Sequence, residues 1–242
     1  MGAAALEWCR RLVDAQPTAG SLDDPVADHL GRVCLAARSG LEMASAVVLV
    51  RAGGESETLA ASSDPLGAGA AELEHTLGEG PSRDALRLGR PVLRADLLDG
   101  DPRWVAYGPG LAGRGLRSVF AFPLHVGAAR FGVLTMYGRE PQQLDPLRTT
   151  RCLAMAELAT QVLLRSTEAG PQGGLARALD DAMDLRVEIF QAQGMAMVTL
   201  RTDLATALAR MRAHAYETER SLHEVSLDIL AGRLTLTDER SD

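Results

Sequence analysis

The sequence predicts an α+β sheet domain followed by an all-helical carboxy-terminal unit. Two observations separate the halves. Up to about residue 165, apolar runs of strand length alternate with helical patterns and Gly- or Pro-bearing turns. Beyond residue 174 the strand pattern stops and three helical patterns follow in succession. Between them the polar stretch STEAGPQGG, residues 166–174, suits a short hinge. The expected layout is an amino-terminal segment over 1–21, a sheet domain over 22–165, a linker over 166–174, a helical domain over 175–236 and a tail over 237–242.

In the first half, residues 22–37 read as a helix and 46–50, the run AVVLV, as a buried strand. The Gly53-Gly54 turn leads to a second strand over 58–61. Residues 73–88 are helical on both sides of Gly78-Glu79-Gly80-Pro81, and 91–93 is a short strand. A loop over 104–115 precedes two strands, 117–125 and 130–137, joined by Gly127-Ala128-Ala129. An amphipathic helix over 144–164 closes an antiparallel sheet flanked by helices, about 145 residues, an ordinary domain size.

The carboxy-terminal unit begins with a long helix over 175–198 that carries two apolar faces. Leu175, Ala182, Ile189 and Ala196 recur every seven residues, with Ala178, Leu185 and Ala192 between them, an a/d-like seam for a coiled-coil stalk that pairs with a second chain. Met183, Val187, Phe190, Gly194 and Met197 form the other face, expected to hold the two following helices, with Phe190 in the core and a helix packed close on Gly194. Asp203 is the expected N-cap of the second helix, whose apolar stripe is Leu204, Ala207, Leu208 and Met211. Ser221-Leu222-His223-Glu224 is a capping-box pattern that starts the third helix, and Gly232 stops it.

Catalysis finds no support in this unit, which lacks a nucleophile with a base, a carboxylate pair or a metal-ligand set, so the chain is expected not to be an enzyme. Gly108-Pro109-Gly110-Leu111-Ala112-Gly113 matches the dinucleotide-binding glycine string in form. No strand precedes it and no acidic ribose partner follows at the right distance, so that reading is set aside. Cys9, Cys34 and Cys152 form no C-x-x-C pair, and thiols this sparse suit a reducing cytosol. His75 and His125 are lone histidines, more often structural than ligands. No apolar run approaches the roughly 20 residues that span a bilayer, and the first residues lack the order of a secretory signal, so a cytoplasmic protein with no membrane partner is expected.

Charge argues for a locally directed function. The 242 residues contain no lysine, and the formal net charge is −7. Residues 175–234 hold seven arginines against nine acidic residues, about −2, which composition alone would not read as nucleic-acid binding. If the second helix continues, Arg212, Tyr216 and Arg220 fall at i, i+4 and i+8, two guanidinium groups around a phenol on one face. Such groups stack on unpaired bases and pair with phosphate. The plainer alternative is a solvated face with the arginines paired to Glu217, Glu219 or Glu224.

Two resemblances follow from local strings. Gln191-Ala192-x-Gly194, then Ala207-Leu208-x-x-Met211-Arg212-Ala213-x-Ala215, then Arg220-x-Leu222-x-x-Val225 resembles the ANTAR domain of transcription antitermination regulators. That resemblance implies a three-helix tip on a coiled-coil stalk and a homodimer. It further implies binding to paired hairpins in nascent RNA, which keeps a terminator from forming. Gln193 stands where such domains usually carry Lys. The expected RNA contacts are Arg186, Gln193, Gly194, Arg212, Tyr216 and Arg220.

Upstream, Gly78-Glu79-Gly80-Pro81 with Ala85-Leu86, Gly89-Arg90-Pro91-Val92, Asp96-Leu97, Arg103-Trp104, the strand VFAFPL over 119–124 and Gly132-Val133-Leu134 resemble GAF sensor domains. Members of that class bind small ligands such as cyclic nucleotides, chromophores or haem, or serve as dimerisation scaffolds. The resemblance therefore implies an unspecified small ligand and no assigned cofactor, and self-association through 175–198 and 144–164. Ser82 stands where similar domains often carry Cys. The expected whole is a signal-responsive antitermination regulator. The rivals are a protein–protein signalling module, or a haem- or redox-sensing domain with a degenerate output.

Overall fold

The computed structural model describes residues 2–18, 24–51, 57–168 and 174–237, and the side chains of all of these except 166–168 and 174–186. Five strands form one antiparallel sheet in the order β2-β1-β5-β4-β3: β1 (Ser45–Arg51), β2 (Glu57–Ser62), β3 (Val92–Arg94), β4 (Ser118–Val126) and β5 (Ala129–Gly138). Because side chains alternate along a strand, the three central strands β1, β4 and β5 each feed two cores. Ala46, Val48, Val50, Phe120, Phe122, Leu124, Leu134 and Met136 face one way. They pack under α1 (Ala3–Asp14), α2 (Pro25–Gly40) and α6 (Pro146–Glu168). Val47, Leu49, Val119, Ala121, Val133 and Tyr137 face the other way, under α3 (Pro65–Leu77), α4 (Pro81–Leu88) and α5 (Tyr107–Gly113).

Helix ends follow local chemistry. Asp24 accepts from the amides of Val26 and Ala27 at 3.1 and 2.9 Å, with Pro25 opening α2, so two orphan donors are satisfied where proline's missing N–H costs nothing. Asp64 caps α3 through the Gly67 amide at 2.9 Å. Gly78 ends α3 at φ +71°, a left-handed position that glycine adopts without a Cβ penalty.

The strand assignments agree with the sequence reading to within a residue or two, while the closing helix ends at Glu168 rather than 164 and α2 is shifted three residues later than 22–37. Three other elements differ more. The amino-terminal segment contains α1, whose Cys9 and Val13 enter the first core. The helix before Gly78 begins at Pro65 rather than 73. The expected loop over 104–115 holds α5, which carries the glycine string inside a short helix with no strand before it.

The carboxy-terminal unit is three helices, α7 (Gly174–Leu200), α8 (Leu204–Glu217) and α9 (Leu222–Leu230), with a core of its own built from Ala192, Ala196, Ala207, Met211, Ala215, Leu222, Val225 and Ile229. Asp203 caps α8 by accepting from the Thr206 amide at 2.7 Å. The Ser221–Glu224 capping box is complete in both directions. His223 Nε2 meets Glu188 Oε2 at 2.7 Å, tying α9 to α7.

The two faces of α7 are the reverse of those expected. Ala192 and Ala196, from the seam expected to meet a second chain, lie inside the bundle, with Ile189 against it. From the face expected to hold α8 and α9, only Met197 packs on that core. Val187 and Phe190 are exposed, Phe190 at 66%, and nothing lies within 4 Å of a Cβ added to Gly194. The physical reason is size: Ala192 and Ala196 of α7 share a core with Ala207 and Ala215 of α8, and such small side chains let helices approach closely, which Phe190 would prevent. Leu175, Ala178, Ala182, Met183 and Leu185 lie outside the described side chains. Self-association through 144–164 is also without an open face at its centre, because none of residues 152–160 is exposed.

Candidate functional site

The two halves meet where α8 packs along α3 and α7 touches α2 and β2. At that junction the Arg212 side chain reaches the left-handed turn after α3. A Cβ on Gly78 would stand 2.5 Å from Arg212 Cζ, so only glycine leaves the guanidinium this place. Burial and the neighbouring Arg83 both push the Arg212 pKa down. Its Nε is buried and has no hydrogen-bond partner among the described residues. Glu72 of α3 faces His223 and Glu224 of α9 across the same junction.

Beside Gly78 opens a cleft of about 370 Å³, walled by the ends of β1 and β2, the 78–80 turn, α4, the Arg103-Trp104 pair and β5. Five arginines line it, Arg51, Arg83, Arg87, Arg103 and Arg130, against Glu57, Glu79 and Asp84, so it is a positive site in an acidic chain. Its acids are committed inward. Glu79 Oε1 accepts from the amides of Ala106 and Tyr107 at 2.8 and 3.1 Å, holding the start of α5. Asp84 takes bonds from Arg87 at 3.2 Å, Arg103 at 2.5 Å and the Trp104 indole at 3.2 Å. The Arg103 guanidinium lies 4.8 Å over the Trp104 ring. Arg130 donates to the carbonyls of Leu86 and Arg87 at 2.7 and 2.6 Å, a cation placed at the negative end of α4. Among the described residues, the Arg83 side chain pairs with Glu57 alone, at 4.0 Å.

Beneath the cleft sits a buried polar network. Glu74 accepts from Ser82 Oγ at 2.7 Å and from the Arg83 amide at 2.9 Å, and Ser82 Oγ lies 2.9 Å from Thr135 Oγ1. Burial pushes the Glu74 carboxyl up to about 7, opposed by those two donors. Gly80, at φ +155°, is required here, since a Cβ would stand 2.5 Å from Glu74 Cδ. The fully buried Tyr107 and Tyr137, with hydroxyls 3.5 Å apart, fill the sheet face beside it. Burial raises the Cys9 thiol to about 11 and Cys152 to about 12, so neither presents a thiolate near neutrality. His125 lies at the exposed end of β4, and among the described residues no cluster of three His, Cys, Asp or Glu side chains is placed to hold a metal.

The six expected RNA contacts are dispersed. Gln193 is buried and donates from Nε2 to the Leu204 carbonyl at 2.6 Å, fastening α7 to the start of α8. Gly194 faces open space. Arg212 is turned toward the sheet domain. Tyr216 is 42% exposed near the end of α8. Arg220 does not extend the Arg212–Tyr216 face, because α8 ends at Glu217; its Nη2 pairs with Asp228 Oδ2 at 2.6 Å. The Arg186 side chain lies outside the described residues. Sequence reading missed Arg83 and Arg87, one turn apart on α4, and Arg130, which joins them only when β5 returns beside that helix. The Gly-Glu-Gly-Pro string was the one signal near them.

Comparison with known proteins agrees with the sheet domain. The GAF domain family model matches residues 24–164. The GAF domain of a phosphoenolpyruvate-protein phosphotransferase from Coxiella burnetii superposes with a TM-score of 0.53 at 15% identity, covering 69% of this chain and 95% of that one. The corresponding domain from Acinetobacter gives 0.52 at 14% identity, covering 70% and 99%. These are likenesses of fold. No curated protein matches the chain. With a five-stranded antiparallel sheet, helices on both faces and a family match over more than half its length, the chain belongs to the GAF domain family.

Proposed function

We propose that this GAF protein is a non-enzymatic, cytoplasmic, signal-responsive regulator whose three-helix unit binds paired hairpins in nascent transcripts and promotes antitermination. The observation that supports this most is the independent core of α7–α9, which leaves Tyr216 exposed on its surface. An exposed aromatic ring suits stacking with an unpaired loop base. The bundle's net acidity restricts contact to a few side chains, so affinity depends on their geometry more than on bulk charge. A homodimer through the exposed α7 face, Val187, Phe190 and Val198, would present two such tips to two hairpins.

The test is a titration of the full chain with paired-hairpin RNA and with an unrelated RNA of equal length. Specific binding should weaken with salt, as phosphate contacts require. Tyr216→Ala should cost roughly 1–3 kcal/mol, the range for loss of one base stack. Equal affinity for both RNAs, or an unchanged Tyr216→Ala, would refute the assignment.

A further inference from the structure

Arg212 is a cation in an unfavourable place. It is half-buried against the turn after α3, the charge that acts on it there is another cation, Arg83, and its buried Nε has no acceptor among the described residues. Leaving a buried charged donor unpaired is costly, and native structures usually supply a partner. The turn that receives Arg212 also forms a wall of the arginine-lined cleft. Two more guanidinium groups there are lightly engaged among the described residues: Arg83 with Glu57 at 4.0 Å, and Arg87, well exposed, with Asp84 at 3.2 Å. Three cations thus flank the Gly78 turn, two from α4 of the GAF domain and one from α8 of the three-helix unit.

We infer that this junction binds a small phosphate-bearing anion, which bridges Arg83 and Arg87 of the GAF domain to Arg212 of α8 and clamps the three-helix unit in its docked position. Phosphate suits the geometry better than carboxylate. Its oxygens point in several directions and accept from guanidinium groups arriving from different elements, whereas the two coplanar oxygens of a carboxylate serve one fork. The charge effect has a definite sign. Without the anion, Arg83 and Arg212 repel and the docked state is disfavoured; with it, both are neutralised and docking tightens. The phosphate-loaded form is therefore the closed one, and on the RNA reading above it is also the form in which Arg212 is withheld.

The experiment uses the full chain with inorganic pyrophosphate at constant ionic strength, with citrate as the carboxylate comparison. Binding is read by calorimetry and docking by hydrogen–deuterium exchange across 204–217, neither of which requires RNA. Pyrophosphate should bind saturably and slow exchange in α8, and citrate should bind more weakly. Arg83→Gln and Arg212→Gln should each weaken binding roughly tenfold, the worth of one charge-assisted partner. Arg212→Lys, which keeps the charge, should retain more affinity than Arg212→Gln. The inference is overturned by absence of saturable binding, by affinity unaffected in Arg212→Gln, by tighter binding of citrate, or by faster exchange in α8 when pyrophosphate is bound. Hairpin affinity measured without pyrophosphate stands or falls separately, so a chain that binds RNA but ignores the anion refutes this inference alone.

Discussion

Glu74 shows most directly how one residue's environment sets a property of the whole domain. Its carboxyl keeps its proton to about pH 7 when folded, against 4.5 ordinarily. Between those values the folded state binds more protons than the unfolded one, so stability is present at low pH and falls as pH rises through 7. The shift corresponds to roughly 3 kcal/mol in total, at about 1.4 kcal/mol per unit. Denaturant unfolding at pH 5 and pH 8 should show this loss in the wild type and little of it in Glu74→Gln, whose amide oxygen can still accept from the Arg83 amide. A parallel pH slope in the two proteins would show that Glu74 ionises freely. This residue carried no signal in the sequence, where it is one of two acids on α3. Its role depends on Ser82 and Thr135, brought to it by α4 and β5. The same limit explains Arg220: spacing placed it on a helix face, but the chain leaves the helix at Glu217 and Asp228 captures it.

At the scale of elements, ends were more legible than faces. Asp203, Ser221 and Glu224 act through amides two or three residues away, so their pattern is local and survives into the structure intact. Asp203→Ala should lower the stability of the three-helix unit by about 1 kcal/mol. The change should appear as faster amide exchange in the first turn of α8. Choosing between the two apolar stripes of α7 depends instead on how closely the partner helix approaches, and periodicity is silent on that. Alanine won the inner position because it permits the shorter helix spacing, which left Val187, Phe190 and Val198 outside. If that stripe is the self-association surface, Phe190→Glu together with Val198→Glu should convert a dimer to a monomer in sedimentation equilibrium without loss of helical signal. A dimer that survives both charges would assign the stripe to something else.

For the whole molecule, the question is whether the GAF domain restrains the three-helix unit, and Gly78 allows the two contributions to be separated. Gly78 and Gly89 end successive helices in the same left-handed conformation, at φ +71° and +66°. Alanine at either position should therefore cost the GAF domain about 1 kcal/mol through its backbone. The surroundings differ: a Cβ at Gly89 would meet Arg130 of the same domain at 3.1 Å, whereas one at Gly78 would displace the Arg212 guanidinium belonging to α8. Gly78→Ala and Gly89→Ala should thus show similar losses in global stability, while only Gly78→Ala speeds amide exchange across 204–217. The Gly78-Glu79-Gly80-Pro81 string was enough to mark Gly78 as a break between helices, but the residue that occupies the space above it, Arg212, comes from 134 positions away. Equal exchange in the two variants would mean that α8 rests on α3 without being held there. Control of the three-helix unit by the GAF domain would then have to run through α7, where it touches α2 and β2.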